Sequence, residues 1–258
     1  MGDQRGSGRF GAHDTYDGRA GAALVQLLDL PRVEVFDSVT STLDVAHALA
    51  TSGAPSGTLV LAEHQTAGRG RGGRTWTSGA GDGIWLTIVE RPRDAAALEV
   101  LSLRVGLRVA RALDRWTASP VRLKWPNDLY VGAAKLAGIL VEARWREEKL
   151  DWAAIGLGVN ILPPVGLAGA ALTPNTSRVH VLSEIVPAIR SAASATGPLS
   201  ERELEEFATR DLARGRRSRE PVVGTVAGID AHGSLLVTTA EGTVPCRSGS
   251  LVLEEESA

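Results

Sequence analysis

Apolar positions along the chain recur with two different periods, and the exchange between them predicts a mixed architecture. Spacing of three and four residues predicts helices over 20–30, 41–50, 94–116, 179–195 and 200–213. Alternating or short continuous apolar runs, bounded by turn residues, predict strands over 33–36, 57–63, 84–90, 121–125, 129–131, 136–144 and 152–161. Pro31 stops the first helix, Thr40 or Ser41 caps the second, and Gly197-Pro198 separates the last two. Residues 163–174 are rich in Gly, Pro and Ala and read as a loop, while 144–149 reads as a solvated charged turn. After the basic run 214–219 the texture changes. Residues 221–253 read as short strands broken at Asp230-Ala-His-Gly233, Glu241-Gly242 and Ser248-Gly249, with no helix, which predicts a small β-barrel. Strands and helices that do not strictly alternate indicate an α+β fold and not a doubly wound parallel sheet. The expected division is a disordered extension over 1–20, a large domain over 21–218 and a small β-domain over 219–258.

Composition narrows the class. The chain has 258 residues and a formal net charge of −2, so it has the length to bury a core and no global field to draw it to DNA or a membrane. Cys246 is the single cysteine, so no internal disulfide forms, and it stands in no metal-ligand pattern. No apolar run approaches the length of a membrane span, and the first residues lack the apolar core of a signal peptide. A cytoplasmic protein is expected. Of 28 basic residues only Lys124, Lys135 and Lys149 are lysine. Lysine and arginine do not exchange freely at a reacting centre, which directs attention to Lys124 and Lys135; Lys149 lies in the charged turn.

The most informative segment is Gly68-Arg-Gly-Arg-Gly-Gly-Arg-Thr75. It fits the GxGxxG dinucleotide pattern and nearly fits a P-loop, but both need a helix to begin at the glycines so that its amides hold phosphate. Here Trp76-Thr-Ser-Gly-Ala-Gly-Asp-Gly83 follows, and so many breakers start no helix. RNA-binding segments of the RGG type are long and repeated, unlike this short insertion between two strands. A solvated basic loop is the plain alternative. The functional reading is an anion-binding lid: glycines supply backbone freedom, and Arg69, Arg71 and Arg74 supply forked cations for a phosphorylated or adenylylated ligand. Closure of such a lid keeps water from a mixed anhydride.

Four motifs in order, Ala67-Gly-Arg-Gly-Arg-Gly-Gly-Arg-Thr-Trp76, Lys124-Trp-Pro-Asn-Asp128, Lys135-Leu-Ala-Gly-Ile-Leu140 and Gly156-Leu-Gly-Val-Asn160, resemble those of biotin protein ligases over about 33–253. The resemblance implies a mixed β-sheet with helices packed on one face, of the class II synthetase type, plus an SH3-like C-terminal barrel. It implies a two-step reaction in which biotin and ATP, with Mg²⁺ carried on the phosphates, give biotinyl-AMP, and the adenylate then acylates a lysine of a biotin carboxyl carrier protein domain. It assigns Ser41, Thr42, Gln65, Arg69, Gly70, Arg71, Lys135 and Gly138 to biotin, with Gly138 allowing close approach to the strand. It assigns Arg71, Trp76, Lys124 and Asn160 to the nucleotide, and catalysis to Lys135, Arg69 and Asp128. Lys135 is the cation between two anionic reactants, and Asp128 orients the carrier lysine. Asn160 has a structural alternative as a strand-end residue capping a loop. Trp76, Trp85 and Trp125 either wall the site or belong to the core.

Two departures stand out. Leu43 occupies the position where the family has asparagine, and the first strand of the terminal barrel is shortened, with 214–220 in its place. Only about thirty residues precede the first predicted strand, too few for the three-helix DNA-binding domain of some relatives. The alternatives are a lipoate-type ligase of the same fold, a non-catalytic biotin-binding protein and a nucleic-acid-binding module. The missing reader motif and the net charge weigh against the last.

Overall fold

The computed structural model describes residues 15–164 and 168–254. The chain opens with a small hairpin, β1 (Thr15–Tyr16) and β2 (Arg19–Ala20), followed by α1 (Gly21–Leu28) and β3 (Arg32–Val39). Next come α2 (Thr42–Thr51), β4 (Thr58–Gln65), β5 (Gly83–Glu90) and α3 (Leu98–Leu113). Four strands follow, β6 (Arg122–Lys124), β7 (Asp128–Val131), β8 (Ala134–Arg146) and β9 (Lys149–Asn160), then α4 (Arg178–Ala193) and α5 (Glu201–Arg210). The terminal region holds β10 (Arg217–Glu220), β11 (Gly224–Ile229), β12 (Leu235–Thr239), β13 (Gly242–Cys246) and β14 (Val252–Leu253).

The central sheet has seven strands in the order β3-β4-β5-β9-β8-β7-β6. Only β3 and β4 run parallel; every other neighbour is antiparallel. Period-two alternation sends Leu59, Leu61, Ile84, Leu86, Ile88, Ile155, Leu157 and Val159 to one face, where they pack with apolar residues of α1, α3, α4 and α5. The opposite face carries a smaller cluster in which Val60, Ala62 and Val89 meet Val45, Ala46 and Ala50 of α2. The packing of helices on one face therefore holds for four of the five, and α2 lies alone across the other. That asymmetry leaves the rest of the second face uncovered by helix, and a cavity lies there.

Several local expectations shift. The disorder expected over 1–20 does not extend to 15–20, and 1–14 lie outside the described residues. Tyr16 is buried, the Arg178 guanidinium lies 4.3 Å from its ring centroid, and Arg178 also pairs with Asp17 and Glu63. One aromatic ring and one carboxylate anchor a segment whose composition reads as disordered. Helix α3 starts at Leu98, later than predicted; the Asp94 carboxylate accepts from Ala96 N and from Gly197 N, tying the approach loop to the α4–α5 connection. Residues 144–149, read as a turn, are the tip of the long β8–β9 hairpin, with Glu147 and Glu148 at positive φ. Part of the loop predicted over 163–174, residues 165–167, is outside the described residues.

The second sheet is antiparallel, in the order β13-β12-β11-β10-β14. The expected SH3-like barrel is therefore seen as an open five-stranded sheet, with no ladder between β13 and β14 among the described residues. The basic run before Val222 is itself the strand β10, so the second sheet begins at Arg217 and the boundary placed near 218 falls inside it. Val226, Leu235, Val237, Cys246 and Leu251 extend the main apolar cluster without a break. Trp125 Nε1 donates to Gly233 O at 2.9 Å, so this tryptophan joins the two sheets and does not wall the site.

Candidate active site

Cross-strand register builds the floor. Gly158 of β9 sits between Trp85 of β5 and Gly138 of β8, and Gly156 sits between Thr87 and Leu140. The pattern Gly156-Leu-Gly-Val-Asn160 thereby presents two glycines and an asparagine on the uncovered face while Leu157 and Val159 enter the core. The Trp76 indole lies flat on the bare patch. A Cβ at Gly158 would stand 2.6 Å from the indole and one at Gly138 would stand 2.9 Å from it. The close approach that Gly138 permits is therefore made by Trp76. Trp85 backs the indole edge-on at 6.3 Å between centroids and donates from Nε1 to Gly79 O.

The entry to α2 supplies the polar wall. Ser41 is the cap: its hydroxyl accepts from Leu43 N at 3.3 Å, an interaction of about 1 kcal/mol in such positions. Gln65, the last residue of β4, accepts from Thr42 N at 2.9 Å and from the Thr42 hydroxyl at 3.2 Å, and its Nε2 donates to Ser78 Oγ at 2.9 Å. Buried Thr87 donates to the Thr42 hydroxyl at 2.8 Å. Thr42 and Gln65 are thus held by protein partners before any ligand arrives. Leu43, the residue after Thr42, is buried and packs toward Gly156, adding one apolar side chain to this polar wall.

The glycine-arginine segment starts no helix, as expected. It folds instead into a small hairpin with an Arg69–Thr75 bridge, Gly70 N donating to Arg74 O at 2.7 Å and Trp76 N to Gly68 O at 2.8 Å. Its tip is a single 3-10 turn over Arg71–Gly73, in which Gly72 and Gly73 take φ of 64° and 74°, a region that favours glycine. At Gly68 a Cβ would stand 2.4 Å from Trp76 O, so that position also needs glycine.

The three arginines leave this hairpin in different directions. Arg69 pairs with Asp44 of α2 at 3.0 Å and with Glu142 of β8 at 3.2 Å. Glu142 also accepts from His47 Nε2 at 3.0 Å, and His47 Nδ1 accepts from Trp152 Nε1 at 3.0 Å. Arg71 donates to Gly249 O at 3.3 Å and Arg74 to Ser250 Oγ at 3.0 Å, both in the turn before β14. Burial lowers the Arg71 pKa from its ordinary value, and the neighbouring Arg74 lowers it further against the pull of Asp128.

Lys135, at the start of β8, contacts Asp128 Oδ1 at 2.8 Å and stands 5.0 Å from the Trp76 ring centroid. Asp128 opens β7 after a turn in which the Trp125–Pro126 peptide is cis and Asn127 Nδ2 donates to Ile139 O at 2.7 Å. Ser41, Thr42, Gln65, Arg69, Gly70, Arg71, Trp76, Asp128, Lys135 and Gly138 all line one cavity of about 120 Å³, to which Arg74 and Leu43 also contribute. An adjoining cavity of about 180 Å³ is lined by Thr75, Trp76, Lys135, Asn160 and the loop at Pro164 and Gly169. Trp76, Thr75 and Lys135 belong to both.

Two predicted residues stand apart from the main cavity. Asn160 Nδ2 donates to Lys135 O at 3.3 Å and Ala170 O at 3.1 Å, the loop-holding role that was its structural alternative. Lys124 lines neither cavity; its ammonium lies 5.8 Å from the Tyr130 ring centroid. Burial lowers the Lys124 pKa from its ordinary value, and Lys135, Arg216 and Arg74 add to the effect while Asp128 opposes it. Sequence reading missed Thr87, Ser78, His47 and Glu142, none of which carries a local signal, and gave the turn at Ser248-Gly249 no part in the site.

Comparison with known proteins agrees with this geometry. Residues 35–160 match the Biotin/lipoate A/B protein ligase family, and residues 214–256 match the biotin protein ligase C-terminal domain. The biotin--[acetyl-CoA-carboxylase] ligase of Mycobacterium tuberculosis is 32% identical over 228 residues, covering 80% of this chain and 82% of that protein. The bifunctional ligase/repressor BirA of Bacillus spizizenii is 38% identical over 126 residues, which are 48% of this chain and 39% of that relative's length. The structure of biotin protein ligase from Aquifex aeolicus in complex with biotin and ATP superposes with a TM-score of 0.71 at 26% identity, covering 88% of this chain and 100% of that one. By these matches the chain belongs to the biotin protein ligase family.

Proposed function

We propose that the protein activates biotin with ATP as biotinyl-AMP and transfers it to a lysine of a biotin carboxyl carrier domain. The observation that carries this reading is the gathering of Arg69, Arg71, Arg74 and Lys135 around one cavity, with Lys135 shared by the neighbouring one. Two anionic reactants repel each other. A cation lying between their two chambers offsets that repulsion and stabilises the charge that spreads over phosphoryl oxygens. The neighbouring chambers also hold the reactants together, removing an entropic part of the barrier.

In the first step a carboxylate oxygen of biotin attacks the α-phosphorus, and pyrophosphate departs with the electron pair of the broken P–O bond. Lys135 contacts the negative charge, and Arg71 and Arg74 close over it. In the second step the neutral carrier amine attacks the acyl carbon, AMP leaves with the C–O electron pair, and the nitrogen gives its proton to water. Asp128 is assigned to orient that amine. Its contact with Lys135 means that the approaching lysine and the bound anion share one ion pair. Thr42, Gln65 and Ser41 are assigned to the polar end of biotin, and Trp76 and Asn160 to the nucleotide side. Among the described residues no cluster of three or more His, Cys, Asp or Glu is placed to hold a metal. Mg²⁺ is assigned to the ATP phosphates, which such a hard cation binds through oxygen. No helix among the described residues is long and apolar enough to cross a membrane, and we place the reaction in the cytoplasm with its carrier.

Incubation with biotin, ATP and a biotin carboxyl carrier domain, read by intact mass, tests the proposal. A carrier heavier by one biotinyl group is expected, dependent on ATP. An unmodified carrier, or modification by lipoate in preference to biotin, overturns it.

A further inference from the structure

The Gly249–Ser250 turn belongs to the terminal sheet, yet its polar atoms are spent on the catalytic hairpin. Gly249 O accepts from Arg71 and Ser250 Oγ accepts from Arg74, across 178 and 176 residues of chain. The turn is braced on both sides. Gly249 takes a φ of 124° and sits against Pro221, where a Cβ would stand 3.1 Å from the proline ring, and Leu251, the next residue after Ser250, is buried in the common core. The acceptors are a carbonyl and a hydroxyl. Among the described residues neither Arg71 nor Arg74 makes an ion pair, in contrast to Arg69 with its two carboxylates. Two like charges on one hairpin repel, and neutral acceptors hold them side by side without cancelling either.

We propose that Gly249 and Ser250 are positioning residues: the terminal sheet holds Arg71 and Arg74 together and electrostatically unspent, so that the hairpin meets a phosphorylated ligand already organised. The inference rests on the ligase reading for the identity of that ligand. It assigns the terminal sheet a part in retaining the adenylate, exerted through the arginines and without touching the reacting atoms. A carboxylate at 250 would hold Arg74 equally well but would consume its charge, so a hydroxyl suits both requirements.

The test compares the full-length protein with Ser250→Ala, Ser250→Thr, Arg74→Ala and the Ser250→Ala/Arg74→Ala double variant. Two readouts are taken: hydrogen exchange of residues 68–76 without ligand, and the rate at which biotinyl-AMP leaves the protein after biotin and ATP are removed. Ser250→Ala is expected to raise exchange in 68–76 and to speed adenylate loss roughly two- to fivefold, the size of one partly exposed hydrogen bond to a charged group. Ser250→Thr is expected to restore both. In the Arg74→Ala background Ser250→Ala is expected to add nothing, since the two residues share one interaction. Unchanged exchange and release in Ser250→Ala, no recovery in Ser250→Thr, or effects that add in the double variant overturn the proposal. If the wild-type protein forms no biotinyl-AMP, the ligase reading fails instead, and exchange in the ligand-free protein still decides whether the turn holds the hairpin.

Discussion

The two sides of the Gly68–Trp76 hairpin share one repeated sequence unit and reach opposite electrostatic states. On the α2 side Arg69 is neutralised by Asp44 and Glu142, and Glu142 is itself fastened by His47. On the other side Arg71 and Arg74 rest on a carbonyl and a hydroxyl. The first arrangement fixes the base of the hairpin to the sheet. The second keeps positive charge available at its tip. A count of arginines in the segment treats the three as equivalent, whereas their partners divide them into an anchor and a receptor.

Four substitutions sharpen or break that division. Lys135→Ala removes the cation that lies between both chambers and is expected to lower biotin-dependent pyrophosphate release by about 10²- to 10³-fold, the scale of losing one preorganised charge at a reacting centre, with the fold retained. Near-normal release would end the mechanism. Gly158→Ala places a methyl 2.6 Å from the Trp76 indole, which the glycine-arginine hairpin carries at its base. It is expected to cost about 1–3 kcal/mol by overpacking and to displace the indole, seen as a lower melting temperature and altered tryptophan emission. A variant with unchanged melting and emission would show that the indole does not depend on the bare patch.

Arg71→Gly removes one receptor charge and leaves the anchor intact. Adenylate loss is expected to rise about tenfold, equivalent to roughly 1.4 kcal/mol, with biotin appearing on bystander proteins. Equal selectivity in the variant would count against a receptor role. Glu142→Gln acts on the anchor side and has the smallest expected effect, because Arg69 and Glu142 are partly exposed and Asp44 remains. Pyrophosphate is expected to bind about two- to threefold more tightly at low salt, since one of the two negative charges facing Arg69 is removed, and the gain should vanish as salt is raised. Weaker binding would mean that Glu142 orients Arg69 for the anion and does not simply neutralise it.

Much of this architecture is legible in local pattern. Alternating or continuous apolar runs locate β4, β5, β8 and β9, a cap at Thr40 or Ser41 follows from residue type, and the breakers after Thr75 exclude a phosphate-binding helix start. Spacing within Gly156-Leu-Gly-Val-Asn160 assigns its glycines to one face and its apolar residues to the core. Partners distant in the chain are not legible in this way. Arg69 and Glu142 lie 73 residues apart and Arg74 and Ser250 lie 176 apart, so nothing in either neighbourhood names the other. The same holds for Thr87 beneath Thr42. Composition misleads at 15–20, where Tyr16 and Asp17 suffice to dock a polar hairpin on α4. It also misleads at 214–220, where Arg217–Glu220 form a strand between β11 and β14 with Ser218 alone buried.

Trp76 bounds both chambers, lying on Gly138 and Gly158 with Lys135 above it. A partition of this kind cannot shift for one occupant and stay still for the other. Whatever factor the first ligand applies to the affinity of the second, the second must return to the first, because the free energy around a closed cycle of binding steps sums to zero. If the two chambers take acid and nucleotide as proposed, any displacement of this single indole ring by one ligand acts on the other in equal measure.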